Sequence, residues 1–148
     1  VVERVESQMF DSSRRDKKIN FMKDYQKNTV AILLYNNEGD ILAVSRKDDC
    51  TAFGLPGGKV EAEDESLEAA AIREVKEETG LDISLLRKIF SYKNEDKDTI
   101  GTTFTADWQG EINTQEKGVC KWTTFEELKK GPFGKYNAAL ERHLLSTI

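Results

Sequence analysis

The segment Gly58–Leu81, GKVEAEDESLEAAAIREVKEETGL, decides how the rest of the chain is read. Its second part carries every local signal of a helix. Ser66 is a good N-cap, Asp64 and Glu65 place negative charge near the positive helix end, and Gly80 stops the run, so the pattern predicts a helix over 66–79. On that helix Glu74, Glu77 and Glu78 stand at i, i+3 and i+4, and their carboxylates project within an arc of roughly 100°. Arg73 lies four residues before Glu77 and can hold it by a hydrogen-bonded pair. Ala71, Ile72 and Val75 are available to anchor the helix in a core.

Such a cluster repels itself, since like charges four apart cost a helix roughly 0.2–0.5 kcal/mol. A hard divalent cation, Mg²⁺ or Mn²⁺, with its taste for oxygen ligands, would relieve the repulsion. Read in isolation, the run fits a solvated acidic helix face better. The context changes the balance. Phe53-Gly-Leu-Pro-Gly-Gly-Lys-Val60 precedes the helix, its glycines let backbone approach a ligand closely, and a loop carbonyl there can add a metal ligand. Lys59 and Arg46, the latter at the end of a strand, are candidate phosphate contacts.

Outward from this segment, Thr29–Tyr35 and Ile41–Ser45 read as strands of a hairpin joined by the turn cluster Asn36–Asp40. Phe53–Gly58 reads as a loop. Leu85–Tyr92 and Thr99–Trp108 read as strands flanking a polar turn, and Val119–Trp122 as a further short one. Thr123 or Thr124 can cap a short helix through Leu128, and Tyr136–Leu145 has the apolar spacing of a last helix. The mixture predicts an α+β fold, an αβα sandwich with a mixed β-sheet between helices. Residues 1–27 read as an N-terminal arm that packs on the domain or makes a homodimer contact, and residues 28–148 as one domain.

Bulk properties narrow the function classes. With 148 residues, 38% hydrophobic and 33% charged, the chain can bury a core without disulfides. A net charge of −5 argues against binding long nucleic acid, yet leaves room for a small anionic ligand if a metal reverses the local field. Cys50 and Cys120 lack CxxC spacing and fit reduced thiols of a cytoplasmic protein. The single histidine, His143, gives little support for a histidine-rich zinc site and reads as a surface or packing residue. No stretch has membrane-spanning length or the pattern of a signal peptide.

The segment resembles the signature of the Nudix hydrolases: Gly, five residues, Glu, seven residues, then Arg-Glu-aliphatic-x-Glu-Glu-x-Gly-aliphatic. From Glu65 through Arg73-Glu74-Val75, Glu77-Glu78 and Gly80-Leu81 the match is complete. Leu55-Pro-Gly-Gly-Lys-Val-Glu61 and Trp122-x-x-x-Glu126-Glu-Leu128 also look like the family. The departure is that six residues, not five, separate Gly58 from Glu65. Asp64 would meet the first spacing and Glu65 the second, and helical register favours Glu65 as the family's first glutamate, with the extra residue absorbed in the loop.

The resemblance implies hydrolysis of a nucleoside diphosphate linked to another moiety, with metal ions assisting water at phosphorus. It implies Glu74, Glu77, Glu78 and the Gly58 carbonyl as metal ligands, and Glu65 and Arg73 as the groups that orient them. The general base is Glu74 or a later loop acid, Glu116 or alternatively Glu111. Phe133-Gly-Lys-Tyr-Asn137 resembles the segment of MutT-like nucleoside triphosphate pyrophosphatases whose Asn reads a purine edge, although Asn137 also suits a helix start. Phe53, Phe90 and Tyr92 could stack on a base. A nucleoside triphosphate, including oxidised purine forms, is the leading substrate. ADP-ribose, dinucleoside polyphosphates, nucleotide sugars and capped RNA are alternatives, and a Nudix-fold module that binds nucleotide without cleaving it is an alternative of another class.

Overall fold

Strand β1, Asn28–Leu33, is apolar on both faces because it lies inside a sheet covered on both sides. In the computed structural model, which describes residues 27–113 and 118–147, it pairs antiparallel with β4, Gly57–Lys59, and parallel with β6, Thr99–Gln109. The long β5, Asp82–Asn94, closes the sheet against β6 in the order β4-β1-β6-β5. A second sheet has the order β3-β2-β7, from Phe53–Gly54, Ile41–Ser45 and Cys120–Thr123.

Alternation along β1 splits the core in two. Val30 and Ile32 join Leu34, Leu42, Val60 and Phe104 against Ala70, Ala71 and Val75 of α1, Leu67–Thr79. Leu33 joins Ile41, Ala43, Leu128 and Leu140 on the opposite side, beneath α2, Phe125–Lys129, and α3, Gly134–Ser146. The expected αβα layering is thus present. Full burial of each Val, Leu or Ile contributes roughly 1.5–3 kcal/mol, so either apolar layer is enough to fix α1 or α3 on the sheet.

Helix α1 begins and ends as its residues dictate. The Ser66 hydroxyl accepts from the Ala69 amide at 3.0 Å, and Gly80 takes the left-handed conformation, φ 80°, with its amide on the Lys76 carbonyl. Thr124 caps α2 through the Glu127 amide.

Three expectations need correcting. The Thr29–Tyr35 and Ile41–Ser45 strands do not form an extended hairpin. Past the single bridge of Tyr35 to Ile41 they diverge into different sheets, β1 being claimed by β4 and β6 and β2 by β3 and β7. The turn itself is as expected, with Asn36 Oδ1 accepting the amides of Glu38 and Asp40. The Phe53–Gly58 loop contains β3 and the start of β4, strands too short to leave a periodic signal. β5 begins at Asp82 rather than Leu85, which sits at φ 53° in a register shift between Ser84 and Arg87, its side chain 70% exposed. The N-terminal arm, up to residue 26, lies outside the described residues.

The β1–β4 contact is built on Gly57, at φ 156°, where a Cβ would run into the Val30 carbonyl oxygen and come 2.9 Å from the Ala31 α-carbon. Gly57→Ala should therefore cost about 3 kcal/mol or more in urea denaturation, because only backbone could give way. Gly39→Ala, also at positive φ (82°) but with open space around it, should cost only about 1 kcal/mol. Equal costs would show that β4 does not depend on this close approach.

Candidate active site

One guanidinium gathers the acidic segment. Arg73 projects from α1 and donates to both Asp64 oxygens, from Nε to Oδ1 at 2.9 Å and from Nη2 to Oδ2 at 2.8 Å. Its Nη1 donates to Glu74 Oε1 at 3.0 Å and to Glu77 Oε2 at 3.2 Å. Nη2 also donates to the Lys59 carbonyl at 3.3 Å, so the loop, the helix start and two carboxylates share one hub. Asp64, its side chain 5% exposed, also accepts from the Glu61 amide at 2.8 Å, closing the loop on itself. The fork-on-fork contact is the geometry in which an Arg–carboxylate pair is strongest. The guanidinium holds the Asp64 carboxyl below the usual carboxylate range, and Asp64 in turn holds Arg73 above the usual arginine range.

Here the structure departs from the sequence reading. Glu65, expected to orient the cluster, is exposed, while Asp64 makes the contacts with Arg73. Helical register was the wrong guide, because it does not reach past Ser66, whose φ −161° and ψ 170° are extended. Residues before the cap follow the loop, and the loop turns Asp64 inward. The spacing of five residues after Gly58 is the signal that could have found it.

Glu78 is positioned from the other side. Its Oε2 accepts the Gly57 amide at 3.1 Å, tying the helix to β4. Glu74 is buried, and burial pushes its carboxyl up, with Arg73 only partly opposing. The backbone of Gly58 lies against it, and a Cβ there would come 2.7 Å from Glu74 Oε1.

This donor set fits a hard divalent cation. Glu74, Glu77, Glu78 and the Gly58 carbonyl offer oxygen only, and a buried carboxyl that resists charging gains from a cation beside it. Among the described residues no three His, Cys, Asp or Glu side chains are yet gathered round one point. Glu74 and Glu77 lean on Arg73, and Glu78 on the Gly57 amide and on Glu74.

The acidic end opens into a cleft of about 1260 Å³. Gly57, Gly58, Lys59 and Glu78 line one end, Arg46 and Lys47 follow from the end of β2, and Thr29, Ala31 and Gly101 belong to the sheet. Tyr92 and the β5–β6 turn, together with Phe133, Lys135, Tyr136 and Asn137, line the rest. Lysine and arginine outnumber acids there, with Arg46, Lys47, Lys59, Lys93, Lys97, Lys129 and Lys135 against Glu78, Glu95 and Asp96. That balance suits a polyanion in an otherwise acidic protein.

Of the residues read from sequence, Glu78, Gly58, Arg46, Lys59 and Asn137 reach this cleft. Arg46 is paired with Asp48 at 3.0 Å, an exposed pair of little strength. Phe53 does not line it. Its ring packs against the second apolar layer with Lys121 Nζ 4.0 Å above, beside a separate hollow of about 150 Å³. Phe90 is likewise core, whereas Tyr92 lines the cleft. Glu116 lies outside the described residues, and Glu111 is exposed. Asn137 is 1% exposed, and among the described residues its Nδ2 has no hydrogen-bond partner; Phe133, not Asn137, holds the N-cap position of α3. Cleft-lining Phe133, 49% exposed, and Tyr136 were not singled out from sequence, because single aromatics at a helix start carry no periodic signal.

The model of the NUDIX domain matches residues 25–144. This chain belongs to the Nudix family. It is 32% identical over 104 residues to a "MutT-like protein" of Streptomyces ambofaciens, covering 69% of this chain and 66% of that one. It is 44% identical over 62 residues to a Bacillus subtilis protein described as "Putative 8-oxo-dGTP diphosphatase", covering 42% and 40%. The chain thus spans less than two thirds of either curated relative. A solved structure from a study of MutT from Aliivibrio salmonicida and Vibrio cholerae shares the fold at TM-score 0.65, with 22% identity, 80% of this chain and 97% of that one covered. Against the Nudix signature, the inserted residue is accommodated by giving the contact with Arg73 to the shorter Asp64.

Asp64→Asn should lower stability at neutral pH by roughly 1–3 kcal/mol, the worth of charged hydrogen bonds at a largely buried site. Glu65→Gln should stay within about 0.5 kcal/mol of the parent. Because the Asp64 carboxyl is held below its unfolded value of about 3.9, its contribution is complete above that pH and lost as pH falls through the lower, folded value. The gap between parent and Asp64→Asn should therefore narrow below about pH 4 in pH-resolved denaturation. A larger cost at Glu65 would restore Glu65 as the orienting acid.

Proposed function

We propose that this Nudix chain is a pyrophosphohydrolase, dependent on Mg²⁺ or Mn²⁺, that cleaves a nucleoside triphosphate to monophosphate and pyrophosphate. Water attacks one phosphorus of the bridge between the α- and β-phosphates, its bond to the bridging oxygen breaks, and that oxygen leaves on the other phosphorus with the electron pair. The divalent ion, when bound, neutralises phosphate oxygens and lowers the pKa of water. Glu74, Glu77 and Glu78 would hold it, with the Gly58 carbonyl. Arg73, fixed by Asp64, sets the carboxylates' directions. Lys59 and Arg46 take phosphate oxygens, and Glu74 or Glu116 accepts the proton from water.

The observation that carries the substrate class is Asn137. A buried amide with an unpartnered N–H₂ is costly unless a ligand meets it, and this one lines the cleft that Glu78 also lines. An amide offers both donor and acceptor, which matches the edge of a purine. Exposed Phe133 and half-buried Tyr92, lining the same cleft, supply faces on which a base can stack. The Bacillus subtilis relative, described as acting on 8-oxo-dGTP, supports a purine triphosphate over a nucleotide sugar.

Products should be identified over a panel of nucleoside triphosphates, ADP-ribose, dinucleoside polyphosphates and capped RNA with Mg²⁺ or Mn²⁺. A purine triphosphate should give monophosphate and pyrophosphate. Glu78→Gln should lower kcat by about 100-fold or more without loss of folding, and Asn137→Ala should raise KM by about tenfold. Full turnover by Glu78→Gln, or in excess chelator, would sink the mechanism. Tight binding without cleavage would move the chain to the sensing class.

A further inference from the structure

Tyr136 precedes Asn137 on α3 and occupies a seat made from two alternate rungs of the β5–β6 ladder, separated by the Ser91–Thr102 pair. Phe90 pairs with Thr103 in one rung, and Tyr92 with Gly101 in the other. The Tyr136 hydroxyl shares a short hydrogen bond with Thr103 Oγ1. Its ring leans over Gly101, where a Cβ would come 2.9 Å from Cε2, so only glycine leaves room for it. Phe90 and Tyr92 meet the ring edge-on, with centroids 5.8 and 5.7 Å away at 73° and 77°.

Among the described residues, the Tyr136 hydroxyl gives this end of α3 its side-chain hydrogen bond, beside the close approach of Phe133 to Gly54 and of Gly134 to the Lys129 carbonyl oxygen. The N-cap position falls to Phe133, which makes no side-chain cap bond, and Gly134 follows it. Leu140, one turn further on, adds apolar burial, which is non-directional and tolerates sliding. A hydrogen bond and a fitted ring do not tolerate it. Residues adjacent on a helix point about 100° apart, so fixing Tyr136 on the sheet fixes where Asn137 aims.

We propose that Tyr136, seated on Gly101 and Thr103, is a positioning residue that sets the depth and direction of the Asn137 amide in the cleft, and so governs base affinity without touching the hydrolytic step. The proposal rests on the reading of Asn137 as the base-contacting residue. Deoxyguanosine triphosphate hydrolysis with Mg²⁺ tests it, with folding of every variant checked by thermal melting. Tyr136→Phe and Thr103→Val each remove one side of the hydrogen bond and leave the ring seat. Each should raise KM by about three- to tenfold with kcat held within about twofold. In an Asn137→Ala background the same changes should have almost no further effect on KM, because the group they position is gone.

Unchanged KM in Tyr136→Phe and Thr103→Val, where Asn137→Ala raises it, would overturn the positioning role. So would a full additional effect in the Asn137→Ala background, or a fall in kcat as large as the rise in KM. An unchanged KM in Asn137→Ala itself, or no turnover of the nucleotide by the parent, would instead remove the base-reading role on which the proposal stands.

Discussion

The contact between Arg73 and Asp64 is the constraint on which the site depends. Three carboxylates on one helix face repel one another and would spread into water if nothing held them. Arg73 gives Glu74 and Glu77 a shared donor, and Asp64 keeps that donor in place by occupying the rest of its fork. Because Asp64 belongs to the loop and Arg73 to the helix, the same contact also fixes how the glycine loop lies against α1.

Helix α1 serves the core and the site with opposite faces. Ala70, Ala71 and Val75 bury against β1 and β6, so the helix cannot rotate without exposing them. Glu78 is held by the Gly57 amide, and Gly57 is held in turn by its close approach to Val30. The chemistry-bearing end of the cleft is thus anchored by backbone on one side and by packed apolar side chains on the other. Asn137, which lines the same cleft, belongs to α3, and α3 packs on the other apolar layer through Leu140.

Much of this was legible in the sequence, for identifiable reasons. The helix 67–79 could be read because its cap, its stop and its apolar spacing agree with one another. The layering could be read because strand and helix signals are mixed along the chain. The separation of β1 and β2 into two sheets could not, because it is decided by strands distant in sequence that outcompete the local partner. The choice between Asp64 and Glu65 turned on where the helix starts, and a register argument extended beyond Ser66 selected the wrong acid. Phe53 was misplaced because an aromatic beside a glycine loop serves core and cleft equally well as a pattern. The Asn137 reading came from a short resemblance; its buried, unpartnered amide is visible only once α3 is packed.

We propose that Arg73, held by Asp64, presents the α1 carboxylates to a divalent ion. The most direct test is a titration of folded protein with Mn²⁺, followed by the loss of the free-ion electron paramagnetic resonance signal. The parent and Glu65→Gln should bind alike, and Asp64→Asn should bind at least about tenfold more weakly, the usual effect of removing a group that orients metal ligands. Binding by Asp64→Asn as tight as the parent's, or weakening by Glu65→Gln alone, would contradict the account.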